Sequence, residues 1–143
     1  MNEQKLPIIS VVIDDLGVDF DATDRAIQLD SFVALSFLPY SSDLIAQVTL
    51  ARAAGHEILI HMPMEPLSRS NDPGPNALFL DLELHETLHR LRWAFDQVPY
   101  AVGLNNHMGS RFTADENAMA TVVGEMKARN LILLDSRTTP RSM

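Results

Sequence analysis

The feature that most constrains this chain is an alternation. Short apolar runs rich in β-branched residues take turns, about five times over, with stretches whose apolar residues recur every three or four positions. Ile8 to Ile13 reads as a buried strand that stops at the polar loop Asp14-Asp15-Leu16-Gly17, and Asp21 to Leu29 as a short helix. Phe32 to Leu38 is a second strand closed by Pro39. Asp43 to Ala54 is a helix with Leu44, Val48 and Ala51 on one face and Gly55 as its stop. His56 to His61 is the third strand. Met62 to Leu80 holds Pro63, Pro66, Pro73, Gly74 and Pro75 and reads as a long loop.

The second half repeats the pattern. Leu84 to Gln97 is a helix whose Leu84, Leu88, Leu91 and Phe95 form the expected buried stripe, ended by Pro99. Tyr100 to Leu104 is the fourth strand. Thr113 and Glu116 have capping-box spacing ahead of Met119, Val122, Val123 and Met126, with Asn130 as a stop. Leu131 to Leu134 is the fifth strand and ends at Asp135. Such an order predicts a single α/β domain over 1–143, a parallel sheet covered by helices through right-handed crossovers, either open or curled into a barrel.

That architecture turns sequence positions into a place. Asp14 and Asp15 end the first strand, His61 ends the third, Asn105, Asn106 and His107 follow the fourth, and Asp135 ends the fifth. The C-terminal ends of parallel strands lie together, and there barrels and open α/β sheets put their active sites. A carboxylate and two imidazoles suit Zn²⁺ or a similar divalent ion, with a coordination position left for water. With no cysteine in the chain, histidines and carboxylates are the strong ligands available. Each residue also has a plain structural role open to it: Asp14, Asp15 or Asp135 as a helix cap, His61 as a hydrogen-bonded core histidine, His107 as part of an ordinary turn.

Two function classes are disfavoured on charge and length. A formal net charge of −8 repels a nucleic-acid backbone or an anionic membrane surface. No apolar run approaches the ~20 residues of a membrane span, and the opening MNEQKLPIIS lacks the apolar stretch of a signal peptide. A competing motif, His85-Glu86-Thr87-Leu88-His89, has the H-E-x-x-H form of zinc proteases. It falls on a helix between parallel strands, away from the strand ends, and a solvated stripe of His85, His89, Arg92 and Asp96 accounts for it better.

The segments VVIDDLG at 11–17, GHEILIHMPMEP at 55–66, PGPNAL at 73–78, VGLNNHMGSRFT at 102–113 and LLDSRT at 133–138 resemble the divergent polysaccharide deacetylase family, relatives of the NodB-type carbohydrate deacetylases. The resemblance implies a distorted (β/α) barrel and a divalent metal, expected to be zinc. It implies hydrolysis of N-acetyl groups on a polysaccharide or oligosaccharide substrate, in the periplasm or otherwise outside the cytoplasm. Carried over by position, it makes Asp14 the catalytic base and Asp15 a metal ligand. His61 matches the first histidine of the family's H-x-x-x-H, Glu65 stands where the second would be, and the third ligand is assigned to His107. Glu65, Asn105, Asn106, Ser110 and Asp135 are then expected to bind substrate or support the ligands. The family's domain continues past 133–138 through further strands, so an incomplete barrel with an open sheet edge, able to self-associate, is expected. A glycan-binding relative without turnover is the alternative.

Overall fold

The computed structural model describes residues 7–143. Five parallel strands pair in chain order: β1 (Val12–Leu16), β2 (Ala34–Phe37), β3 (Ile58–Met64), β4 (Ala101–Met108) and β5 (Ile132–Leu134). The helices α1 (Phe20–Ile27), α2 (Leu44–Ala53), α3 (Leu84–Gln97) and α4 (Glu116–Ala128) fill the crossovers. Strand order without reversal means every right-handed crossover returns over the same face. The core agrees with this. Leu35, Phe37, Ile58, Ile60, Met62, Met64 and Leu104 pack with Ala26, Val48, Leu91, Ala94, Val122 and Met126 from all four helices. The intervening residues Ser36, Leu59, His61 and Asn105 point to the opposite, concave face, as strand pleating requires. The sheet is open and barrel-like, and among the described residues β1 and β5 each have one strand neighbour.

Several boundaries differ from the sequence reading, each for a tertiary reason. The first strand is Val12–Leu16 rather than Ile8 to Ile13, because β2, its partner, begins opposite Val12; Ile8 and Ile9 are 94% and 84% exposed. β3 and β4 run past His61 and Leu104, pairing His61 with Asn105, Met62 with Asn106, Pro63 with His107 and Met64 with Met108. Pro63 sits in an internal strand although it cannot donate; its carbonyl accepts from Leu78 N at 2.8 Å, so the loop's return extends the ladder. On α3 the buried residues are Thr87, Leu91 and Ala94, and Leu84 is 61% exposed, so the expected stripe is rotated. α4 is capped by Asp115, whose side chain accepts from Ala118 N at 2.9 Å, while Thr113 belongs to the 3-10 turn Phe112–Ala114. Asn130 ends that helix as expected, with φ of 55°.

Candidate metal centre

Adjacent strand residues normally face opposite sides, so Asp14 and Asp15 could not both serve one site on a regular strand. β1 is not regular. Its register with β2 shifts between Ile13 and Leu16, and Asp15 adopts φ of 61°, a left-handed conformation that Asp tolerates better than most residues. The bend brings both carboxylates to the concave face. Asp15 Oδ1 then lies 3.1 Å from His61 Nε2 and 2.8 Å from His107 Nδ1.

These three donor atoms lie within 4.8 Å of one another and could hold a metal ion. The imidazoles meet edge to face, their centroids 5.0 Å apart, so two nitrogens approach one carboxylate oxygen from different directions. His61 is 3% exposed, whereas Asp15 is open to solvent. Burial, and secondly the charge of His61, hold the His107 imidazole below its usual pKa, against the opposing pull of Asp15 and Asp14. A ring kept neutral is the form that binds a metal. The donor set, carboxylate plus two imidazoles with a solvent-open side, fits a divalent metal ion.

Asp14 stands beside this group. Its Oδ1 is 3.7 Å from His61 Nδ1 and accepts from Asn105 Nδ2 at 2.8 Å, and its side chain is 38% exposed. Buried Asn105 lies at the centre of the polar layer. Besides Asp14, its Nδ2 donates to Ser136 Oγ at 3.2 Å; its Oδ1 faces Ser36 Oγ at 2.5 Å and His61 Nδ1 at 3.0 Å. Neither Ser36 nor Ser136 is among the site residues expected from the sequence. The signal for Ser36 was its place in the apolar run 33–38, at the strand position that shares a face with His61.

The other expected site residues hold the scaffold around the centre. Glu65 accepts from Arg111 Nη1 and Leu80 N, both at 2.8 Å, clamping the proline-rich loop to the end of β4. Ser110 Oγ accepts from Leu67 N at 2.9 Å and anchors the same loop. Asn106 donates to Met108 O at 2.7 Å and accepts from Ser136 N at 2.9 Å, joining β4 to the segment after β5. Asp135 caps a local turn by accepting from Arg137 N at 2.8 Å, and is not part of the ligand group. Tyr40, also unforeseen, stands between Asp15 and the loop: burial, then the Asp15 and Asp72 carboxylates, push its phenol above the usual pKa. A Cβ on Gly74 would lie 2.8 Å from its ring.

His85 and His89 are exposed on α3, and Glu86 accepts from Arg90 Nε at 2.7 Å, so that carboxylate is engaged as an ion pair. His56 is buried with its ring nitrogens against the Val33 and Ile27 carbonyls, a structural placement. Among the described residues, Asp15, His61 and His107 are the group of this kind close enough to hold a metal.

The sequence profile of the divergent polysaccharide deacetylases matches residues 11–143. The chain belongs to that family. Among divergent polysaccharide deacetylases and their relatives, it is similar to the uncharacterized protein YibQ of Escherichia coli (strain K12), 37% identical over 130 residues, covering 91% of this chain and 40% of that protein. An uncharacterized protein of Haemophilus influenzae is 32% identical over 137 residues, covering 94% of this chain and 48% of its own length. The crystal structure of the uncharacterized protein ATU2773 from Agrobacterium tumefaciens C58 superposes with a TM-score of 0.89 at 29% identity, over 93% of this chain and 55% of that one. The chain therefore spans about half the length of the relatives it matches. No helix among the described residues is long and apolar enough to cross a membrane.

Proposed function

We propose that this chain carries the metal-binding half of a deacetylase site, which hydrolyses an N-acetyl amide of a carbohydrate. The observation that carries the reading is the convergence of Asp15 Oδ1, His61 Nε2 and His107 Nδ1 with a second, independently held carboxylate, Asp14, beside them. A zinc-like ion, when bound there, makes water more acidic and polarises a carbonyl oxygen. Asp14 acts as the general base: Asn105 occupies its Oδ1, and its solvent-open side is free to take a proton from water. Asp15, His61 and His107 hold the ligand positions. The loop 65–80, pinned by Glu65, Arg111 and Ser110, walls the mouth on the side where the sugar chain would lie. An N-acetylated polysaccharide or oligosaccharide as substrate is supported by the family, and a periplasmic or other extracytoplasmic location would suit such a substrate.

One observation favours a second reading, glycan binding without turnover. Returning a proton to the leaving amine needs an acid, and within this chain, which spans about half the length of its relatives, the histidines outside the ligand group, His56, His85 and His89, lie away from the centre. Acetate release from β-1,4-linked N-acetylglucosamine oligomers in the presence of Zn²⁺ separates the two. Release that is lost in Asp14→Asn supports hydrolysis; saturable oligomer binding with no acetate formed supports the binding module.

A further inference from the structure

The polar layer under the candidate metal centre turns on one amide. Asn105 is 1% exposed and its side chain meets four partners, two at each end. An amide in that position has two orientations, and the partners select between them. Asp14, as the carboxylate its role as base requires, can only accept, so the atom 2.8 Å from its Oδ1 must be the donating Nδ2. The carbonyl end is thereby turned toward Ser36 Oγ and His61 Nδ1. An amide oxygen only accepts, so His61 Nδ1 must carry a hydrogen, and in a neutral ring Nε2 is left with its lone pair. Nε2 is the nitrogen that faces Asp15 and the ligand position.

We infer that Asn105 is a positioning residue that fixes the tautomer of His61 and, through its other end, orients Asp14. Ligand and base are thus set by one side chain on β4. The Ser36 hydroxyl, fully buried on β2, donates to the same oxygen and keeps the amide from turning over. The arrangement resembles the general use of an outer hydrogen bond to choose the free nitrogen of a metal-binding histidine, with a carboxamide here in place of a carboxylate or backbone carbonyl. The inference rests on the metal reading of the site, and it assigns no contact between Asn105 and substrate.

The test uses metal-free, ¹⁵N-histidine-labelled protein in an Asp15→Ala background, because Asp15 Oδ1, 3.1 Å from His61 Nε2, would otherwise accept a hydrogen from that nitrogen. Two-bond ¹H–¹⁵N correlations then distinguish a protonated from a bare ring nitrogen, and Zn²⁺ affinities are compared with Asp15 present. His61 is expected with Nδ1 protonated and Nε2 bare. In Asn105→Ala the preference should be lost and Zn²⁺ affinity, measured by titration calorimetry, should fall by about tenfold or more. Asn105→Asp keeps an acceptor facing His61 and removes the donor facing Asp14, so it should restore the tautomer and most of the Zn²⁺ affinity. If Asn105→Ala does not fold, the Asp15→Ala spectrum and Asn105→Asp still decide. A His61 protonated on Nε2 in the Asp15→Ala chain would overturn the inference, as would an unchanged tautomer when Asn105→Ala is added. An Nδ1-protonated His61, with no Zn²⁺ bound by the chain that keeps Asp15, would uphold the positioning role and remove the metal reading.

Discussion

Asp14 and Asp15 are neighbours in sequence with different surroundings, and the difference assigns their chemistry. Asp15 touches both imidazoles, whereas Asp14 touches Asn105 and keeps an open side. Asp14→Asn retains size and hydrogen bonding but cannot take a proton, so turnover on an N-acetylated oligomer should fall ~10²–10⁴-fold with Zn²⁺ still bound. Loss of the metal in Asp14→Asn, together with loss of turnover alone in Asp15→Asn, would exchange the two roles. His107 gives a pH prediction for the metal-free chain. Its folded pKa lies below the ~6.5 of an unfolded histidine, so between the two values the unfolded state binds more protons. Stability from this group is therefore complete above ~6.5 and declines as pH falls below it. Urea unfolding across pH 4–8, compared with His107→Gln, should show that decline in the wild type and a shallower one in the variant.

At the scale of elements, the site depends on close approach between strands. A Cβ on Gly103 would meet the Ile132 carbonyl oxygen at 2.6 Å and Leu59 Cδ2 at 3.0 Å, so Ile132 can sit opposite this position of β4 only because that position carries no side chain. Gly103→Ala should force the strands apart and destabilise the chain by ~1–3 kcal/mol, read as a lower urea midpoint. An unchanged midpoint would mean that β5 contributes little to the fold. The order of strands and helices was legible in the sequence because periodicity reports which face of an element is buried. The grouping of Asp14, Asp15, His61 and His107 was legible too, since parallel strands place their ends together. The bend at Asp15 and the lengths of β3 and β4 were not, because both depend on register between strands distant in sequence. The partners of Glu65 and Ser110 were hidden for the same reason: Arg111, Leu80 and Leu67, which engage them, are set by how the loop folds back.

For the whole molecule, the concave face serves chemistry and association together. Above, it is polar around the candidate centre. Below, Val12, Ala34, Leu59, Ile132 and Leu134 line an apolar hollow, with Ile132 57% exposed. Exposed apolar faces and unpaired sheet edges favour association. The isolated 143-residue chain should therefore show a concentration-dependent mass in sedimentation, and Ile132→Lys with Leu134→Lys should shift it toward monomer. A monodisperse monomer at every concentration would show that the open face is tolerated. The central claim, that one metal is held by residues from three strands, has a direct measurement: elemental analysis of protein equilibrated with Zn²⁺ and then freed of unbound ion. One ion per chain is expected for the wild type, with His61→Ala and His107→Ala each at least tenfold weaker in affinity and depleted in metal. Metal content unchanged in both variants would contradict the account.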